Sequence, residues 1–294
     1  MRTLAFLLAI LCHAVALAQS APPLDSQRIE RLTAAHGTWN DAGTVFKVSV
    51  PRDDLAATLA GTRMPPGLGL TSWAAFERGP EGAVAMGDIV LVEAQINPVL
   101  DAALDAGLEV TALHNHFLWD QPRIFFLHIA GHGGEEALAA SVGKVLARER
   151  VTRGTPAPVP PALEGAITPA VAGLEQVLGA KAQTAGGAVK FVWERKTSAH
   201  GVELGAAMGV NTWAAFAGSD SAAVVDGDFA VAEAELQTVL KALRRGGLQI
   251  AAIHSHMAME TPRVLFVHYL GTGPAADLAR GVSQALAAQG AAPH

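Results

Sequence analysis

Much of this chain is written twice. GLTSWAAF at 69–76 answers GVNTWAAF at 209–216, and AVAMGDIVLVEA at 83–94 answers AVVDGDFAVAEA at 223–234. PRIFFLH at 122–128 answers PRVLFVH at 262–268, so the offset is 140 residues throughout and holds without a gap from Gly69 to Gly133. Upstream, GTVFKVSVPR (43–52) meets GAVKFVWER (187–195) after a shift of a few residues. A solenoid repeats every ~20–50 residues, so this long period means two copies of one domain. The expected organisation is a first repeat at 24–150, a proline-rich linker at 151–161 within the stretch ending RGTPAPVPPALEG, and a second repeat at 162–292.

Within one copy the apolar periodicity predicts a helix at 24–35 and strands at 44–50, 70–76 and 83–91. A helix follows at 97–106, where VLDAAL sets its apolar residues on one face and Gly107 ends it. Strands at 108–116 and 122–130 come next, rich in Val, Ile, Leu and Phe, and a helix at 135–148 closes the copy. The core order β-α-β-β-α predicts an α+β class built from two tandem ferredoxin-like sandwich repeats related by a pseudo-two-fold axis, an internal pseudo-dimer.

The opening MRTLAFLLAILCHAVALAQS has one early basic residue, an apolar centre and an Ala-Leu-Ala ending. Residues 1–18 thus read as a signal peptide cleaved near Ala18, and the mature chain is expected to be periplasmic or secreted. Cys12 is the only cysteine and lies inside this segment, so no disulfide or thiolate chemistry is expected. Half the residues are hydrophobic, yet outside the leader no apolar run approaches the ~18 residues of a membrane span. A net charge of -6 without a basic stripe argues against a nucleic-acid partner.

Histidine carries the chemical signal. The first copy holds His114, His116 and His128 around Pro122-Arg123; the second holds His254, His256 and His268 around Pro262-Arg263. On a strand, the two histidines of His-x-His point to one face, with Cα atoms ~7 Å apart, a spacing at which both imidazoles reach one ion. Their neighbours diverged: Asn115, Phe117, Leu118 and Trp119 became Ser255, Met257, Ala258 and Met259 while the histidines stayed. If residues 116 and 122 face each other across a simple hairpin, His128 lies opposite Val110, roughly 13 Å along the strand from His114. Three arrangements resolve this: a bulge or longer loop shifts the register, His128 completes the site of the other copy, or His128 and His268 belong to the core.

Other residues compete for roles. Glu93 and Glu233 are candidate carboxylate ligands or general bases, or helix N-terminal acids favoured by the dipole. Arg123 and Arg263 are candidate anion holders, or braces of the hairpin. Asp88 and Asp228 follow glycines and read as structural residues of a bulge or turn. Trp73 and Trp213 read as core residues, and His36, His132 and His200 as surface residues. G-x-S-x-G and H-E-x-x-H are both absent, which removes the common hydrolase and metalloprotease readings.

The run HNHF…PRIFFLHIAGHG, with the duplicated GD…E…GLEVTALHNH pattern, resembles the LppY/LpqO family of bacterial secreted proteins and lipoproteins. The resemblance covers nearly the whole mature chain, is closer in the first copy and departs at HSHMAMET in the second. It implies a duplicated domain of unknown function and brings no established activity. Leu11 before Cys12 is a poor lipoprotein signal, so the lipid anchor of some members is not carried over.

Together these features predict an extracytoplasmic metal-binding protein. Its expected ligands are His114, His116, His128, His254, His256 and His268, and its ion a divalent transition metal such as zinc, copper or iron. A metal-dependent enzyme with Glu93, Arg123, Glu233 or Arg263 in the chemistry stays open. So do two alternatives: a metal-free periplasmic module binding an anionic small ligand, and a haem-binding paired ferredoxin-like domain.

Overall fold

The computed structural model describes residues 23–79, 82–156, 169–185 and 187–290. The leader at 1–18 and most of the proline-rich linker lie outside these described residues.

The first copy opens with helix α1 (Ser26–Thr33) and strands β1 (His36–Trp39) and β2 (Val45–Pro51). Two short strands, β3 (Thr58–Leu59) and β4 (Thr62–Arg63), precede the long hairpin of β5 (Thr71–Gly79) and β6 (Gly82–Val92). Helix α2 (Ile96–Asp105), strand β7 (Glu109–Asn115), the short β8 (Asp120–Gln121), strand β9 (Ile124–Gly133) and helix α3 (Glu135–Val151) complete it. The second copy runs α4 (Val171–Leu178), β10 (Gln183–Ala185), β11 (Ala188–Glu194), β12 (Thr197–Ala199) and β13 (Val202–Leu204). It continues with β14 (Asn211–Gly218), β15 (Ala223–Ala232), α5 (Glu233–Arg245), β16 (Gln249–His254), β17 (Val264–Gly273) and α6 (Ala275–Gly290). Among the described residues no helix is long and apolar enough to cross a membrane.

The expectation of two ferredoxin-like sandwiches is overturned. Twelve strands form one antiparallel sheet in the order β1-β2-β5-β6-β9-β7-β16-β17-β15-β14-β11-β10. Each copy lays its first four main strands side by side as a meander. Only the last two are interchanged, because α2 carries the chain one place too far and β9 returns to fill the gap beside β6. The individual strands were legible from their apolar runs; their order was not, because a meander and a ferredoxin-like crossover use the same alternating patterns.

What joins the copies is strand β7. It would leave its copy as a bare edge, a row of unpaired amides. Instead it pairs antiparallel with β16, and Leu113 faces Ile253, the residue 140 positions on. The helices cover one face of the combined sheet, where Ile29, Val99, Leu138, Leu113, Ile129 and their second-copy counterparts share one buried cluster. The other face stays largely open. Over the first copy it is covered at one end by Ala57, Met64, Leu70 and Phe117 against Val90 and Phe126; the second copy has only the smaller patch of Ala230, Val264, Phe266 and Met257.

Two sets of polar contacts fix this arrangement. Gln237 on α5 accepts from Val110 N at 3.0 Å and donates to Val110 O at 2.9 Å; Asn97 on α2 does the same for Ile250, at 2.8 and 3.2 Å. Each amide side chain serves as a one-residue strand for the opposite copy, satisfying backbone groups that the ladder leaves free. Deeper, Arg52, 1% exposed, pairs with fully buried Glu149 at 3.0 Å and donates to Val90 O, while Gln95 donates to Glu149 O at 2.9 Å. In the second copy Arg195 pairs with Glu235 at 2.7 Å, and Gln289 donates to Ala230 O at 2.7 Å. The positions of Gln95 and Glu149 thus hold Glu235 and Gln289: carboxylate and amide have exchanged helices around the same arginine charge.

Arg52 also bonds Asp54 through Nε and Nη2, both at 2.9 Å, and Glu149 also pairs with Arg153 at 2.9 Å, so removing the Glu149 carboxylate takes one partner from each arginine, at a cost of ~1–3 kcal/mol. Glu149→Gln is therefore expected to lower stability in urea unfolding, and adding Gln95→Glu is expected to recover most of the loss. A double variant no more stable than Glu149→Gln would refute the equivalence of the two networks.

Candidate functional site

The open face carries the histidines. Between Val110 and Ala112 the β7–β9 register shifts by a bulge, so His128 faces Ala112 rather than Val110. The bulge is one of the three arrangements the sequence left open, and its consequence is direct. His114 becomes the diagonal neighbour of His128, and their Nε2 atoms lie 3.0 Å apart. The second copy repeats the bulge between Ile250 and Ala252 and sets His268 opposite Ala252, with the His254 and His268 rings stacked at 4.7 Å. His116 and His256 follow at the strand ends, resting on Phe126 and Phe266 with ring centroids 4.3 and 3.4 Å apart.

A residue the sequence reading set aside completes each cluster. Asp88 and Asp228 occupy the interior of β6 and β15, not a turn, and each faces a cluster histidine directly across the ladder, His128 and His268. Asp88 Oδ1 is 3.9 Å from His128 Nε2, and Asp228 Oδ2 is 3.7 Å from His256 Nε2. Asp228, His254 and His256 offer donor atoms that all lie within 4.8 Å of one another. The preceding glycines are required by space: a Cβ on Gly87 would sit 2.9 Å from Trp73 O, and one on Gly227 would fall on the Tyr269 ring. The recurring Gly-Asp in both copies, set in a largely apolar strand, was the available signal.

Both carboxylates are poorly served. Asp228 is 2% exposed, and Oδ1 of Asp88 and of Asp228 is buried without a hydrogen-bond partner. Burial therefore raises both carboxyls above their ordinary value, opposed by the nearby imidazoles. Burial likewise lowers His254 and His256, with the charge of His268 adding to the effect. Each cluster thus sets three imidazoles around a carboxylate with one buried oxygen that no hydrogen bond satisfies.

The remaining candidates stand elsewhere. Glu93 opens a 3-10 turn and Glu233 opens α5, both exposed. Arg263 Nε lies 3.6 Å from Glu233 Oε1, both side chains at least 60% exposed. Arg123 lines a hollow of about 550 Å³ with Asn115, Phe117, Leu118, Trp119, Asp120 and Gln121. None of these four is hydrogen-bonded to a cluster histidine among the described residues. Trp73 and Trp213 are half-buried on the open face beside Asp88 and Asp228, not in the core. The two clusters share that face but not one centre: β9 and β17 are three strand steps apart, which separates them by roughly 15 Å.

The signs of these shifts have a measurable consequence. Without a cation, Asp88 and Asp228 cost stability at neutral pH, and the cost is relieved as pH falls through their raised values. His254 and His256 act oppositely, because the unfolded chain takes up protons first and stability is lost as pH falls through the ordinary imidazole value of 6.5. In chelator-treated protein at pH 7, Asp228→Asn is expected to stabilise by ~1 kcal/mol, or roughly 2–4 °C. The gain should shrink toward pH 4 in thermal melts; destabilisation at pH 7 would contradict this account.

Comparison with known proteins adds the family. A trimeric bacterial microcompartment shell protein, PduB, aligns at 13% identity over 86% of this chain and 89% of its own, with a TM-score of 0.19. EtuB from Clostridium kluyveri aligns at 10% identity over 86% and 90%, with a TM-score of 0.21. Scores this low carry no argument about either fold or role. Among curated proteins no match is found. The model of the Domain of Unknown Function (DUF1259) matches twice, over residues 27–148 and 172–288, which is well over half of the chain and one match in each copy. The chain belongs to that family and carries its domain in duplicate.

Proposed function

We propose that each copy binds one divalent transition-metal ion, through His114, His116, His128 and Asp88 in the first and His254, His256, His268 and Asp228 in the second. The observation that carries this reading is the pair of buried, unpartnered carboxylate oxygens, each set among three imidazoles. A cation there would satisfy the orphaned oxygen and turn a costly arrangement into a favourable one. The 3.0 Å between His114 and His128 is close to the ~3.3 Å separating two nitrogens that share a tetrahedral ion at 2.0–2.1 Å. Imidazole with one carboxylate suits zinc, copper or iron better than calcium or magnesium. Met257 packs against Phe266 and Met259 is 82% exposed, so neither adds a soft ligand that would single out copper.

When bound, such an ion can activate a water or hold a substrate oxygen, which is the chemistry a metal-dependent enzyme would need. The chain's own residues supply the support for it. The bulges aim His114 and His254, and Phe126 and Phe266 give His116 and His256 an apolar seat. The extracytoplasmic location and the narrower placement in the LppY/LpqO family belong to the same proposal, supported by the leader-like residues 1–18 and the HNHF…PRIFFLH motif.

Protein purified from the periplasm is expected to hold up to two ions per chain by mass spectrometry. The pair His254→Ala/His256→Ala should lose the second-copy ion and His114→Ala/His116→Ala the first, and Asp228→Asn should weaken the second site at least tenfold. A wild type that stays empty and takes up no zinc, copper or iron would end this reading.

A further inference from the structure

Beyond the histidines, the open face continues outward from each cluster in the same order. Trp73 on β5 is the direct cross-strand partner of Asp88, and Trp213 on β14 that of Asp228. Above each indole lies an ammonium: Lys47 Nζ is 4.2 Å from the Trp73 ring centroid, and Lys190 Nζ is 4.5 Å from that of Trp213. Both lysines are exposed on their strands, and among the described residues neither has a carboxylate within ion-pair distance. Lys47 is near enough to Asp88 for its charge to favour the ionised carboxyl. A surface lysine normally extends into water to keep its full conformational freedom. These two are instead laid across an aromatic face toward the cluster, where cation–π attraction holds them.

Resting on the metal reading above, we infer that the ligand of each site is a small dianionic acid, bound by one oxyanion at the metal and by the other at Lys47 or Lys190. The spacing sets its length. Lys47 stands on β2, two strands from β6, and its side chain folds back over β5, leaving on the order of 5–10 Å between ammonium and cluster. The indole between them offers an apolar floor for the carbon chain joining the two anionic ends. Neither end alone selects such a molecule; the second charge at a fixed distance does.

The copies are not equal in this respect. Asp226 is exposed on the same face of β15, opposite Ala215, which in turn faces Lys190. The corresponding residue of the first copy is Met86, 61% exposed. In the first copy the acid of this face is instead Glu77, exposed on β5 as the diagonal neighbour of Lys47, where the second copy has Ala217.

The test compares glutarate with butyrate, acids of similar length that differ by one carboxylate, in calorimetric titrations of zinc-loaded protein. The wild type should prefer glutarate about tenfold. Lys47→Met and Lys190→Met should each lower that preference while binding zinc with unchanged stoichiometry and melting as the wild type does. Glutarate preference that survives in the Lys47→Met/Lys190→Met double variant, or equal affinity for the two acids in zinc-loaded wild type, would overturn the inference and leave the metal reading standing. Failure of the wild type to take up zinc, copper or iron would overturn both, and the metal analysis tells the two results apart.

Discussion

The architecture rests on the antiparallel pairing of β7 with β16. Leu113 faces its own counterpart, Ile253, so two strands that would each end a sheet become its middle. An exposed, apolar strand edge invites aggregation, and this pairing removes it from both copies at once. The reciprocal clamps of Gln237 on Val110 and Asn97 on Ile250 lock the register from the helical layer. They matter because a one-residue slip in a sheet exchanges its faces. Here it would send Leu113 and Ile253 outward and bury the histidines under the helices.

The same clamps explain why a bulge is tolerable near the centre of the sheet. A bulge leaves backbone groups without ladder partners, which is costly in a buried strand. Val110 and Ile250 sit immediately before the shifts in register, and the side-chain amides of the opposite copy supply what the ladder omits. The bulge in turn sets His128 and His268 opposite Ala112 and Ala252, small residues that leave room for His114 and His254 to lean in diagonally. The joint between the copies and the convergence of the imidazoles are therefore one mechanical arrangement: the polar contacts that hold the halves together allow the irregularity that builds the clusters.

The helices and long strands of the first copy were legible in the sequence to within a few residues, because apolar periodicity reports which face of an element is buried; β1 and the short β3, β4 and β8, which bury little, were not. Sheet order was not, since it depends on where α2 and α5 set their following strands. The six histidines were legible from His-x-His and its repetition, although their convergence turned on a bulge that no residue type announces. Asp88 and Asp228 were misread for a definable reason. An Asp after Gly suggests a turn when taken locally, whereas here the glycine is dictated by Trp73 O, Ile129 and Tyr269 pressing on the opposite face of the strand. Trp73 and Trp213 were misplaced because large aromatics are assigned to cores by default. On a sheet with one open face they can equally floor a site.

Duplication gives two clusters, and the sheet keeps them separate. Placing β9 and β17 three strand steps apart puts roughly 15 Å between the centres, whereas two-metal sites hold their ions ~3.5–4 Å apart. Ions bound as proposed would therefore not share a ligand, and each would stand as a mononuclear centre with its own surroundings. Those surroundings have diverged. The first copy carries the larger apolar cover, beside the β3–β4–β8 excursion, and Met86 next to Asp88 on β6; the second has a smaller apolar patch, the β12–β13 pair and Asp226. The exchanged Gln95/Glu149 and Glu235/Gln289 networks show the same latitude in the interior, where opposite placements of one charge support equivalent packing. What the duplicated fold holds in common is three imidazoles and a carboxylate at matched places on matched strands; the side chains around each pair of lysine and tryptophan are where the two halves differ.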